Sequence, residues 1–339
     1  MRRSVNFNWH SPKGYEVMAK QKRPEILVLT AADDDDLPGL ETLADVATVT
    51  YARDEKSLRV GLVKADILVV TDFRTELLHK VWPSQHKISW LHATSAGVDA
   101  LMFPELVNSD IQVTNARGVF NRGIAEYVLG AILMFAKDTL SNLRYQREHQ
   151  WQHRETQLVR GSVALIVGAG SIGREVASLL RCLGMRVLGT DLVAREDEYF
   201  DEVRANDELC DLLPEADYVI INAPLTSQTR GLFCRETFAR MKSTAHLINV
   251  GRGPVVCTED LVDALNNGVI AGAALDVFEI EPLPKEHALW DMPQVMISAH
   301  MSGDFVGWRR ALGEQFVENF HRRQAGEGLF NLVEKTAAT

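Results

Sequence analysis

The sequence predicts an α/β protein in which two units, each a doubly wound parallel sheet, share one chain. Three observations carry this. At 339 residues the chain is longer than one core commonly organises, so two domains are expected. From residue 25 onward, short β-branched runs alternate with stretches of helical periodicity, in two separate series. A glycine-rich turn, "GAGSIG" at 168–173, stands between an apolar strand pattern and an amphipathic helix pattern, near the middle of the chain.

The first 24 residues are basic but lack the continuous apolar stretch of a secretory signal, and read as a loose extension. The first series follows, with strands expected at "ILVLTA", "ATVTY", "DILVVT", "ISWLHA" and "IQVTNA". Next, "GIAEYVLGAILMFAKDTLSNLRYQREHQW" is apolar at helical spacing and then turns polar; it is too long for one strand-turn-helix repeat and predicts a connecting pair of helices. The second series runs "SVALIVGA", "MRVLGTD", "DYVIINAP", "AHLINVG", "AGAALDV" and "QVMISAH", with helices such as "TEDLVDALNNG" between. A helix is expected over "DFVGWRRALGEQFVENFHRRQ", followed by a short tail containing "LFNLV". Neither an internal repeat nor a low-complexity tract is present.

Composition narrows the function. Thirty-six Lys and Arg against 46 Asp and Glu give a formal charge of −10, which opposes nucleic acid and anionic lipid and favours a small-molecule partner. There is no apolar run of about eighteen residues to span a membrane. Cys182, Cys210, Cys234 and Cys257 form no C-x-x-C pair, so neither a zinc site nor a disulfide framework is expected, and a reducing cytoplasm fits.

The glycine turn has a mechanism at each position. Gly168 permits a tight turn, Gly170 lets a phosphate approach the backbone, and Gly173 permits close packing of strand and helix. The helix starting near Ser171 aims the N–H groups of its first turn, with Ser171 and Ile172, at a pyrophosphate. Asp191 ends the next strand, 18 residues after Gly173, where a carboxylate accepts hydrogen bonds from the adenosine ribose. This is the Rossmann pattern. The same charge repels a 2′-phosphate, so NAD is favoured over NADP, with Arg195 the feature that keeps NADP open.

The second half contains "LINVGRG", "LDVFEIEPLP" and "ISAHMSG", and "SAGVD" and "APLTSQTRGL" precede them. In this order and spacing the motifs resemble the D-isomer-specific 2-hydroxyacid dehydrogenase family, in particular its glyoxylate and hydroxypyruvate reductase-like members, over about residues 25 to 333. The resemblance implies a Rossmann NAD-binding domain (125–300) inserted into a flavodoxin-like substrate domain (25–124 and 301–333), which would explain the late glycine turn.

It also implies site residues. Arg252 is similar to the arginine that binds the substrate carboxylate and carbonyl, His300 to the general acid/base, and Glu281 to the carboxylate that orients it. A planar guanidinium suits bidentate anion binding, and an imidazole with an ordinary pKa of about 6.5 exchanges protons near neutrality. Asp276 resembles the residue that binds the nicotinamide carboxamide, and Ala223, Pro224, Thr229, Val250 and Gly251 belong to motifs that line the cofactor. Ala96, Gly97 and Val98 are expected to form a row of N–H groups for the substrate carboxylate, with Gly97 at positive φ. The implied reaction is reversible reduction of a small 2-oxo acid to the D-2-hydroxy acid, with His300 as proton donor. A dinucleotide-sensing interaction protein without turnover, or an oxidoreductase of the same superfamily with another substrate, are the alternatives. A homodimer is expected through the long connecting helices.

Other features point less far. His149 and His153 have helical ligand spacing but no third partner, so no metal is expected. Asp33 to Asp36 are expected to cap a helix, and Arg309 and Arg310 to lie on a solvated face. Phe73, Arg74, Met301 and Trp308 are candidates for shaping the substrate pocket, and Trp151 for contact with a partner subunit.

Overall fold

The computed structural model describes residues 23–71 and 75–335. The N-terminal extension, apart from its last two residues, and the pocket candidates Phe73 and Arg74 lie outside the described residues.

The first sheet contains β1 (Glu25–Leu29), β2 (Thr48–Ala52), β3 (Ile67–Val70), β4 (Trp90–Ala93) and β5 (Gln112–Thr114), all parallel, in the order β2-β1-β3-β4-β5. This is the flavodoxin-like order. β1, β3 and β4 are apolar at nearly every position because both faces are covered, so they read as continuous runs with no alternation. The helices α1 (Glu55–Lys64), α2 (Thr75–Val81) and α3 (Pro104–Val107) serve the crossovers. α1 starts where it does because Asp54 and Ser57 form a reciprocal capping box.

The connecting pair is α4 (Asn121–Ala136) and α5 (Thr139–Arg147), interrupted at Asp138, whose φ of 49° is left-handed. α4 buries Ile124, Ala125, Val128 and Ile132 in the core of the second sheet.

That sheet has seven parallel strands: β6 (Val163–Val167), β7 (Arg186–Asp191), β8 (Glu202–Ala205), β9 (Tyr218–Ile221), β10 (His246–Asn249), β11 (Gly272–Leu275) and β12 (Val295–Ile297), in the order β12-β11-β10-β9-β6-β7-β8. Between them run α6 (Ser171–Cys182), α7 (Leu209–Leu212), α8 (Arg235–Phe238) and α9 (Thr258–Asn266). The chain winds outward in both directions from β6, so the crevice opens at the carboxyl ends of β6 and β9. β8 was not expected. It is a polar edge strand in which only Val203 is buried, so it carries little apolar signal.

The last helix, α10 (Trp308–Gln324), returns to the first sheet. Leu312, Phe316 and Phe320 join Ile26, Val28 and Trp90 in one core, and the Phe316 ring stacks on Trp90 at 5.0 Å between centroids. The tail then adds a bridge from Leu332 to Thr114. The molecule is thus two parallel-sheet α/β units, the second inserted into the first.

Two expectations are corrected. Asp33 to Asp36 cap no helix; Arg53 pairs with Asp36 at 2.6 Å, and Arg309 of α10 pairs with Asp34 at 3.3 Å. Arg309 therefore fastens the C-terminal helix to the acidic turn, and Arg310 pairs with Glu41, so this face is more than solvated. The helix begins at Trp308, later than the pattern suggested, because residues 301–307 form the loop that leaves the site.

Candidate active site

Parallel register gathers the site. Asn249, Leu275 and Ile297 stand opposite one another at the ends of β10, β11 and β12, so the residues that follow share one edge of the sheet. Arg252 comes three residues after β10, Glu281 six after β11 and His300 three after β12.

Nδ1 of His300 lies 2.8 Å from Oε2 of Glu281. Burial alone would raise the Glu281 pKa, but hydrogen bonds from His300 and the Phe278 N–H outweigh it, and the carboxyl lies below its ordinary value. An ionised Glu281 accepts a hydrogen bond from Nδ1 and so orients the imidazole ring. His300 has left-handed backbone, φ 52°, an uncommon state for a residue with a side chain. Its N–H donates to the Asp276 carbonyl at 2.8 Å, which holds that conformation.

Asp276 is fully buried. Its carboxylate accepts from Ser298 Oγ at 2.5 Å, Met301 N at 2.9 Å and Ser302 N at 2.9 Å, and Tyr127 of α4 meets the same Ser298 hydroxyl at 2.7 Å. The structure therefore sets Asp276 beneath the His300 loop, which it organises. Ser298 and Tyr127 carried no sequence signal, since a lone serine and a helical tyrosine look like ordinary polar and core residues.

Arg252 crosses to the first unit. Its Nη2 and Nε lie 3.1 and 3.3 Å from Oδ1 of Asp99, and Nη1 donates to the Gly251 carbonyl at 2.9 Å. A Cβ on Gly97 would stand 1.7 Å from Arg252 Nη2. This corrects the expectation for Gly97: it is absent from the positive-φ glycines, and its requirement is space for the arginine. The loop carrying Ala96, Gly97 and Val98 is tied through its carbonyls, with Asn115 Nδ2 donating to Ala96 at 2.6 Å and Ser95 Oγ to Gly97 at 2.6 Å. Gly251 also lacks room for a side chain, since a Cβ would meet the Ala223 carbonyl at 2.9 Å.

The glycine turn behaves as its spacing implies. Gly168 has φ 101°, Gly170 faces open space as the N-cap of α6, and a Cβ on Gly173 would lie 2.3 Å from the Gly168 carbonyl. Ser171 and Ile172 open α6. Open space at the start of a twelve-residue helix, beside a turn without side chains, fits a dinucleotide pyrophosphate. Asp191, at the end of β7, accepts from Leu192 N at 2.8 Å and pairs with Arg195 at 2.7 Å, while Arg195 also donates to the Ala169 carbonyl at 2.5 Å. Ala223, Thr229 and Val250 are buried, with Thr229 Oγ1 donating to the Pro224 carbonyl at 2.7 Å to close its turn.

Met301 is half-exposed beside His300. Trp308 sits farther along, its ring tilted on Phe120 at 6.1 Å. Trp151 is wholly exposed beyond α5, in the same stretch as His149 and His153. Among the described residues no group of three His, Cys, Asp or Glu is placed to hold a metal ion, and no helix is long and apolar enough to cross a membrane.

Residues 129–302 match the family model of the D-isomer specific 2-hydroxyacid dehydrogenase NAD binding domain. A glyoxylate reductase of Thermofilum pendens is 32% identical over 328 residues, covering 92% of this chain and 95% of that protein. Among solved structures, a D-isomer specific 2-hydroxyacid dehydrogenase family protein of Aeromonas salmonicida is 31% identical with a TM-score of 0.80, covering 92% of this chain and all of that one. An NADPH-dependent glyoxylate/hydroxypyruvate reductase of Sinorhizobium meliloti, solved with NADP and sulfate, is 25% identical with a TM-score of 0.81, covering 94% and 100%. An NAD(P)-binding unit, a histidine paired with a carboxylate at the ends of neighbouring strands, and full-length relatives of one kind agree: this chain is an oxidoreductase of the D-isomer specific 2-hydroxyacid dehydrogenase family.

Proposed function

We propose that the protein reduces a small 2-oxo acid, with glyoxylate and hydroxypyruvate first among candidates, to the D-2-hydroxy acid, using NADH. The observation that carries this reading is the ionised Glu281 on Nδ1 of His300, an arrangement for delivering a proton to a developing alkoxide. Formate oxidation, by contrast, removes hydride without a hydroxyl proton to manage. The nicotinamide cofactor, when bound, supplies the hydride that reduces C2.

The chain's own residues do the rest. Arg252 and the N–H groups of Ala96, Gly97 and Val98 receive the carboxylate, and Arg252 polarises the carbonyl. His300 gives its Nε2 proton to the carbonyl oxygen, and Glu281 stabilises the imidazolium beforehand. Asp276 keeps the His300 loop in place. Gly168, Gly170, Ser171, Ile172 and Gly173 hold the pyrophosphate, and Ala223, Pro224, Thr229, Val250 and Gly251 line the neighbouring strand ends. Asp191 takes the ribose hydroxyls, which supports NADH. A second reading, NADPH, is favoured by the Arg195 guanidinium at that same carboxylate.

We assign residues 25–124 and 301–333 to the substrate unit and 125–300 to the cofactor unit, which places the first boundary in the opening turn of α4. Exposed Leu143, Trp151 and Leu158 beyond α4 support a homodimer built through this arm. Four free cysteines suit a cytoplasmic protein.

The test is initial-rate oxidation of NADH and NADPH with glyoxylate, hydroxypyruvate, pyruvate, oxaloacetate and phenylpyruvate, for the native protein and His300→Gln. Turnover that the substitution abolishes is the expected result. Cofactor binding without turnover on any oxo acid overturns the reading in favour of a sensor.

A further inference from the structure

The Arg252 guanidinium is oriented by an acid from the other unit. Asp99 follows β4, in the last position of "SAGVD", and Arg252 follows β10, 153 residues later. One oxygen, Oδ1, accepts from both Nε and Nη2, at 3.3 and 3.1 Å. The Gly251 carbonyl takes a proton of Nη1 at 2.9 Å. A Cβ at Gly97 would lie 3.0 Å from that same Asp99 oxygen and 1.7 Å from Nη2, so the acid, the arginine and the glycine backbone converge on one point. Both side chains are mostly buried.

We propose that Asp99 is the positioning residue of the substrate-carboxylate clamp, an inference that rests on the reading of Arg252 given above. A guanidinium carries five N–H donors in one plane. Asp99 and Gly251 engage three of them, on Nε, Nη2 and Nη1. One donor remains on each of Nη1 and Nη2. Because Asp99 receives Nε and Nη2 together, it occupies the side edge of the fork, and the remaining Nη2 proton is turned toward the Nη1 end. The remaining Nη1 and Nη2 donors are left for the substrate, one for its carboxylate and one for its carbonyl oxygen, beside the backbone of Ala96 to Val98. Without Asp99 the arginine would rotate about several bonds and lose this orientation, and misplacement on the scale of an ångström costs about a hundredfold in rate.

A competing role predicts the opposite sign. If Asp99 only neutralised Arg252 and competed with the substrate for it, its removal would tighten substrate binding.

The experiment compares the native protein with Asp99→Ala and Asp99→Asn, the latter keeping an acceptor oxygen without the charge. Cofactor affinity, read by NADH fluorescence, and melting temperature verify that each folds. For Asp99→Ala, kcat/KM on glyoxylate or hydroxypyruvate is expected to fall by at least about tenfold, with KM raised and NADH affinity unchanged, and Asp99→Asn is expected to recover most of the loss. An unchanged or lowered KM for the oxo acid in Asp99→Ala overturns the proposal. Lack of turnover in the native protein instead overturns the functional reading. In that case the crystal structure of Asp99→Ala decides: a guanidinium displaced from Gly97 supports the positioning role, and one left in place rejects it.

Discussion

Nδ1 of His300 and Oε2 of Glu281 stand 2.8 Å apart, joined across 19 residues by the ends of two neighbouring strands. The carboxyl is held below its ordinary pKa by this contact and by the Phe278 N–H, against the opposing effect of burial. For Glu281→Gln we expect kcat for oxo-acid reduction to fall by about a hundredfold, on the scale general acid catalysis supplies. A kcat that stays unchanged would separate Glu281 from proton delivery.

Gly97→Ala should act on the substrate and spare the cofactor. The new Cβ, 1.7 Å from Arg252 Nη2, cannot coexist with the present guanidinium. The side chain must swing away, and kcat/KM for the oxo acid is expected to drop by about a hundredfold with NADH affinity unchanged. Steady-state kinetics together with cofactor titration checks this.

Asp191 and Arg195 share one ion pair at the end of β7, 2.7 Å apart, where the proposed reading places the cofactor ribose. Asp191→Ala removes the acceptor for ribose hydroxyls and releases the guanidinium toward a 2′-phosphate. The ratio of kcat/KM for NADPH to that for NADH should rise by about tenfold or more. Adding Arg195→Ala should reverse the gain, and a double-mutant cycle on the two cofactors measures it.

Acid should destabilise the fold before it protonates most carboxylates. Burial lowers the pKa of His92 to about 3 and that of His246 to about 4, so both are neutral in the native state. In the unfolded chain they take up a proton near pH 6.5. The unfolded state therefore binds more protons from there down to the folded values, and stability falls as pH falls through that window, by about 1.4 kcal/mol per pH unit for each histidine. Glu281, with its lowered pKa, adds a loss below about pH 4.5. Urea midpoints at pH 7 and pH 5 give the slope, which His92→Phe should reduce.

Much of the fold that carries this site was legible before any coordinates, and the reason is local. The glycines at 168 and 173 announce a positive φ and a close approach that other residues do not meet, and buried parallel strands show as unbroken apolar runs. The resemblance of their motifs named Arg252, Glu281 and His300, and the structure sets all three just after the ends of neighbouring strands. What escaped depends on distant partners. Asp99 reads as the end of a turn until Arg252 arrives from 153 residues away. The aspartates at 34 and 36 read as a cap until Arg53 and Arg309 are seen against them. Tyr127, Ser298 and Asp276 form a chain only because α4 runs past the end of β12. Gly97 was assigned the right residue type for the wrong reason, since a positive φ and a crowded neighbour leave the same letter in the sequence.

The return of α10 to the first sheet sets an order on synthesis. Residues 25–114 leave the ribosome before the C-terminal helix, yet one face of their sheet, with Ile26, Val28 and Trp90, is covered only in part, by Leu37, Leu40 and Leu43, until Leu312, Phe316 and Phe320 emerge. The segment from 121 to 297 is contiguous and carries its own seven-stranded sheet and the helix that packs on it. Cores close as units once their parts are present. The middle of the nascent chain can therefore mature while its beginning is still waiting, and the part made first becomes the part finished last.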